Sequence, residues 1–208
     1  MGSIRCINMV GVSCSLQVLC YGNRANPGYN SGIVHGDIKP KNILIWEEYQ
    51  TRGMAVILAD FGFSKFGVRD ELIKLSRSEP WDAPEWHPRY FMLGDATKTD
   101  IYSFGLVCLW IFFRNETLAE FDLPSTTIGD AFMGTDFDAV SRIQSKKTNG
   151  DSILQLALHL LVQKTDLDDN IRSQLTTVFT LALAYDPGKR PESMEIFVKI
   201  LLGSSEES

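Results

Sequence analysis

This 208-residue chain lacks any apolar run of bilayer length. The longest, residues 101–113, is interrupted by Ser103 and Gly105. It reads as a buried helix, and no membrane span is expected. Cysteine is scarce: Cys6, Cys14, Cys20 and Cys108 are the only 4, and none pairs as CxxC. That excludes a disulfide framework or a zinc knot and points to reduced thiols in a cytoplasmic or nuclear protein. Basic residues are outnumbered, 20 Lys and Arg against 26 Asp and Glu, for a net charge of −6. No nucleic acid is expected as a partner, since such a surface needs a basic face. With 16 Gly and 8 Pro the chain is not collagen-like, and with 44% apolar residues it is not disordered. The first twenty residues carry one Arg, and Asn8, Gly11, Ser13, Ser15 and Gln17 dilute their apolar stretch too far for a secretory leader. Met1-Gly2-Ser3 opens like a myristoylation signal, but Cys6 stands where that signal wants Ser or Thr.

What is present suits one domain with a sizeable core. Residues 22–32, rich in Gly, Asn and Pro, read as a loop. Two short apolar runs at 43–46 and 55–59 read as a small β-hairpin. Residues 62–96 lack a sustained period and carry Pro80, Pro84 and Pro88, which predicts one long ordered loop of functional importance. Beyond it the pattern is helical. Thr97 is placed to cap a helix through Phe113, buried all round. Ser152 is placed to cap a second over 153–162. Ile171, Leu175, Val178, Phe179 and Ala182 keep helical spacing in a third, stopped by Asp186-Pro187-Gly188. Met194, Phe197, Val198, Leu201 and Leu202 form a fourth after Pro191. Residues 114–150 read as a variable insertion with a short helix, and a helix over 12–21 is expected beneath the loop that follows. The fold class is therefore mainly α with a small β-hairpin, α+β.

The segment His35-Gly36-Asp37-Ile38-Lys39-Pro40-Lys41-Asn42 holds a carboxylate, a cation two residues on and an amide three further. A turn with that spacing can aim all three at one place. Phosphoryl transfer needs such a set: a group to orient the attacking hydroxyl, a cation for phosphate charge and oxygen ligands for Mg²⁺. The hairpin then leads to Asp60-Phe61-Gly62, where an Asp at a strand end is a natural ligand for a hard metal.

On these residues the chain resembles the C-terminal lobe of a eukaryotic protein kinase, of Ser/Thr type. Asp37, Lys39 and Asn42 match the catalytic loop, and Asp60-Phe61-Gly62 the metal-binding motif. Ala83-Pro84-Glu85 matches the end of the activation segment. Residues 100–105 (DIYSFG) resemble the start of the central buried helix, and Asp186-Pro187 with Arg190-Pro191 a later helix end. The resemblance implies a protein-kinase-like helical C-lobe over 33–202, preceded by a segment at 1–32 and followed by a frayed tail at 203–208. It implies ATP and a protein substrate as partners, with Mg²⁺ alongside ATP. Asp37 would accept the substrate hydroxyl's proton, and Lys39 would neutralise the γ-phosphate. Asn42 and Asp60 would hold Mg²⁺. Ser78 would support the loop, Asp100 would brace it, and Glu85 with Arg190 would form a buried ion pair.

Two departures qualify the match. Gly36 stands where many kinases have an Arg that pairs with a phosphorylated loop, so loop phosphorylation is not expected to be the on-switch. Residues 1–38 contain no Lys, no Asp or Glu precedes Asp37, and no Gly-rich loop occurs. The Lys–Glu pair of an N-terminal lobe is therefore not expected within this sequence, and independent transfer by the chain alone is not expected either. Two other readings stay open: a non-catalytic kinase remnant that binds partner proteins, and a small-molecule phosphotransferase of the aminoglycoside or choline kinase type. Asp37 and Asn42 could also serve merely as turn residues capping their own backbone. His35 and Lys41 are read as a packed, hydrogen-bonded histidine and a solvated charge. Trp81 and Trp86 are read as packing anchors, Trp81 lining a peptide groove only if exposed.

Overall fold

The computed structural model describes residues 31–48, 53–68, 70–86, 90–134 and 136–203. The expected helix at 12–21, most of the 22–32 loop and the tail beyond Gly203 lie outside them. The described chain begins with β1 (Ser31–Val34) and a single 3₁₀ turn, Pro40–Asn42. The hairpin follows as β2 (Ile43–Glu48) and β3 (Gly53–Leu58), antiparallel with Ile43 opposite Leu58 and Glu48 opposite Gly53. Next come β4 (Lys65–Val68), β5 (Leu72–Ile73) and β6 (Phe91–Met92). β4 returns to pair antiparallel with β1, and β5 pairs with β6. The 62–96 stretch is thus less irregular than its sequence suggests, because two-residue strands are too short to display a period.

The helical body starts with α1 (Leu93–Phe113). It begins one turn before Thr97, whose hydroxyl donates back to Gly94 O at 2.7 Å instead of capping. Residues 114–150 hold β7 (Thr117–Leu118), β8 (Leu123–Thr127), α2 (Ile128–Phe132) and α3 (Phe137–Lys147). They contain more structure than the single short helix expected. Asp136 caps α3 by accepting from the amides of Asp138 and Ala139. Then follow α4 (Ser152–Gln163), α5 (Asp169–Ala182) and α6 (Glu195–Leu202). Asp168 caps α5 through the amides of Asn170 and Ile171, which starts that helix two residues before its first apolar contact. Ser152 is not a cap. Its hydroxyl donates to Asn149 O, while Asp151 accepts the amide of Tyr185 at 2.8 Å and pins the start of α4 to the end of α5.

The main core runs along α1 from Ile101 to Phe113 and collects side chains from α2 to α6, with Ile38, Leu58 and Trp81 at its upper edge. A smaller cluster of Val34, Ile73, Leu75, Phe91, Leu93 and Ala96 lies around the first turns of α1. Both clusters share α1, so the helix links the β elements to the helical body. No helix among the described residues is long and apolar enough to cross a membrane.

Candidate active site

The turn after β1 is anchored from below by α1. Asp100, two turns into the helix and buried, accepts the main-chain amides of His35 (2.6 Å) and Gly36 (2.9 Å). Burial pushes its carboxyl up to about 7, although those two amide bonds pull the other way. Gly36 takes φ +76°, a left-handed turn that lets both amides face one carboxylate. His35 is buried beneath. Its Nε2 lies 3.1 Å from Ala59 O, and its Nδ1 accepts the Asp37 amide at 3.3 Å.

Asp37 projects from this braced turn with its side chain 1% exposed. Its Oδ2 accepts from Lys39 Nζ at 2.8 Å and from Asn42 Nδ2 at 2.9 Å. The same amide nitrogen donates to Asp37 O at 2.8 Å. Among the described residues, Asp37 Oδ1 has no hydrogen-bond partner. Burial alone would raise the carboxyl's pKa, but hydrogen bonds from Lys39 and Asn42 and the Lys39 charge more than offset it, so Asp37 stays ionised. Lys39 also donates to Ser78 Oγ at 3.1 Å.

Asp60 arrives through the hairpin. The Ala59 amide donates to Asn42 O at 2.7 Å, so the end of β3 is fastened to the 3₁₀ turn. Asp60 takes φ 63°, is exposed, and accepts the Gly62 amide through Oδ1. Its neighbours Ala59 and Phe61 both touch His35: the former through the hydrogen bond, the latter ring to ring at 4.9 Å. Asp37 and Asp60 both act electrostatically on His35. Lys39 and Asn42 thus meet on one oxygen of Asp37, and Asp60 follows Ala59, which is tied both to Asn42 O and to the His35 ring.

The donor set suits Mg²⁺. With its amide nitrogen committed to Asp37, Asn42 has its side-chain oxygen left for a cation, and Asp60 offers an exposed carboxylate. One carboxylate and one amide oxygen fit a hard cation held jointly with phosphates and water. Among the described residues no group of three His, Cys, Asp or Glu side chains forms a closed protein cage.

Supporting contacts follow the expectations. Arg190 grips Glu85 through both guanidinium ends, at 2.5 and 3.0 Å. Lys41 is exposed. Trp81 is buried against Phe132 and Trp110, which makes it a packing anchor and removes it from any peptide groove. Trp86 is half-buried and donates its indole N–H to Ser76 O at 3.1 Å. Sequence reasoning missed Asp82, Gln144 and Lys147, which meet beneath residues 80–82. Lys147 sits in a run of polar residues that reads as surface, and no local signal marks it as buried.

Comparison with known proteins shows the family. The protein kinase domain family matches residues 28–200. A probable receptor-like protein kinase of Arabidopsis thaliana is 26% identical over 176 residues, covering 83% of this chain and 36% of that protein. The rust resistance kinase Lr10 of Triticum aestivum is 30% identical over 182 residues, covering 85% of this chain and 25% of that protein. The chain belongs to the protein kinase domain family. It spans between a quarter and about a third of the length of these two relatives.

Proposed function

We propose that this chain supplies the phosphoryl-transfer groups of a Ser/Thr protein kinase, acting on Mg-ATP and a Ser or Thr hydroxyl of a protein. The observation that carries this is the meeting of Lys39 and Asn42 on one oxygen of the buried Asp37 carboxylate, with its other oxygen open among the described residues. Asp37 Oδ1 accepts the hydroxyl's hydrogen and orients its oxygen, a role for which the carboxyl's ionised state is suited. Lys39, held by Asp37 and Ser78, keeps a third ammonium hydrogen for a phosphate oxygen. Asn42 Oδ1 and the Asp60 carboxylate are the residues that would hold Mg²⁺. When bound, the metal neutralises charge on the nucleotide phosphates.

Calorimetric titration and a phosphotransfer assay on Ser- or Thr-containing protein test the reading. Asp60→Asn is expected to weaken the Mg²⁺-dependent part of ATP binding at least about tenfold. In a form of the chain fused to an N-terminal kinase lobe, Asp37→Asn is expected to lower transfer by roughly 10²–10⁴, the span of general acid–base catalysis. Parental transfer by Asp37→Asn would overturn it. A second reading, a kinase-derived module that binds partner proteins, has one observation in its favour. Leu44 and Ile57, opposite each other in the hairpin, are 51% and 37% exposed. Absence of Mg²⁺-dependent ATP binding would favour it.

A further inference from the structure

Lys147 closes α3 with its side chain 1% exposed. All three of its ammonium hydrogens go to one short stretch: Pro80 O at 2.7 Å, Asp82 O at 2.6 Å and Asp82 Oδ1 at 2.9 Å. Gln144, one turn earlier, donates to the same Oδ1 at 2.6 Å. Arg77 takes Oδ2 at 2.9 Å. Stability does not account for a buried ammonium here, because an apolar pair of similar volume commonly serves stability as well or better. Hydrogen bonds do what an apolar pair cannot: they fix carbonyl positions.

The fixed stretch leads to the site. The amides of Trp81 and Asp82 both donate to Ser78 O, at 2.7 and 3.1 Å. Ser78 Oγ accepts from Lys39, and Lys39 pairs with Asp37. A chain of hydrogen bonds joined by the backbone of residues 78–82 thus links α3 to the candidate base. We propose that Lys147 is a positioning residue, holding residues 80–82 so that Ser78 sets the Lys39–Asp37 pair. The catalytic meaning of this rests on the kinase reading above; the mechanical link does not.

The test uses the 208-residue protein and NMR. In Asp82→Leu/Lys147→Met the charged pair is replaced by apolar side chains and Arg77 keeps Glu79 at 2.6 Å. The amides at positions 81 and 82 are expected to exchange at least about tenfold faster while those of α4 keep parental rates. The ¹⁵Nζ resonance of Lys39, which donates to Ser78 Oγ at 3.1 Å, should shift as Ser78 moves. A folded double variant with parental exchange at 81 and 82 and a parental Lys39 ¹⁵Nζ resonance overturns the proposal. If that variant loses cooperative folding, Lys147→Gln carries the same two measurements, because Asp82 then keeps Arg77 and Gln144. Neither readout needs turnover. A chain that fails to bind Mg-ATP therefore counts against the kinase reading and leaves this result standing.

Discussion

His35 shows how a single side chain fixes the state of the site. Its ring must donate from Nε2 to Ala59 O and accept at Nδ1 from the Asp37 amide, so only one neutral tautomer fits. A proton on Nδ1 would set N–H against N–H. Burial holds its pKa below the ordinary 6.5, against the raising influence of the Ala59 bond and the Asp37 and Asp60 charges. Its stabilisation is therefore complete above pH 6.5 and is lost as pH falls through the folded-state value. Asp100 acts with the opposite sign. Its folded-state value lies near 7 against 3.8 for the free group, so the folded chain takes the proton first. That contribution is complete below pH 3.8 and is lost as pH rises through about 7. Urea unfolding of the parent, His35→Gln and Asp100→Asn across pH 4–8 separates them. His35→Gln should remove a loss of stability on acidification, and Asp100→Asn a loss on alkalinisation; unchanged slopes would refute the assignment. Gly36 supplies another prediction at this scale. A Cβ there would stand 3.4 Å from Leu75 Cδ2 and Phe63 O, a tolerable contact, so the cost of Gly36→Arg is set by its φ of +76°. That strain is worth about 1–2 kcal/mol, read as a lower unfolding free energy. The sequence showed a missing arginine at this position, and only the structure shows the backbone reason a side chain is unwelcome.

Among the elements, α1 packs against β1, β4, β6, α2 and α5, and at Gly105 it lies tight against the end of α5. A Cβ there would stand 2.7 Å from Leu183 Cδ2 and 2.9 Å from the Ala182 Cβ. Gly105→Ala gains about 1 kcal/mol of helix propensity. It also overpacks a helix contact, at typically 1–3 kcal/mol. The Ala182 methyl has no rotamer with which to yield, so overpacking wins and the variant should unfold at lower urea concentration than the parent. Most of this element was legible: residues 101–113 are apolar on every face, as a central helix requires. Its start was not, because Thr97 looks like a cap and instead bonds back to Gly94 O. The β1–β4 pair was invisible for another reason. Its strands are four residues each and lie apart in sequence, joined only by tertiary pairing of Val34 with Lys65 and Ser31 with Val68. The hairpin, with both strands adjacent, was read to within a few residues.

At the scale of the whole molecule, the site is held by ties that span most of the chain. Asp100 reaches back to His35, Lys147 to Pro80 and Arg190 to Glu85. The first and last were legible only because their motifs occur in a family's order. Lys147 belongs to no such motif, and a basic residue in a polar run carries no sign of its burial. Arg190 is the tie with the most partners. Besides Glu85, its guanidinium donates to Ala184 O, Lys98 O and Tyr185 O, and it lies 4.7 Å over the Tyr102 ring. It thereby joins the end of α5, the first turns of α1 and the segment at 84–86. Arg190→Leu leaves three carbonyls without this donor and a partly buried carboxylate without its cation. Breaking a buried pair from one side costs on the order of 3–5 kcal/mol, a large share of the about 5–15 kcal/mol that holds a typical domain folded. Glu85→Gln should cost less, because an acceptor oxygen remains and the three carbonyl bonds are untouched. Urea denaturation of both variants checks the order. A loss in Arg190→Leu no larger than in Glu85→Gln would mean that the carbonyl contacts contribute little and that the ion pair alone joins the C-terminal helices to the site.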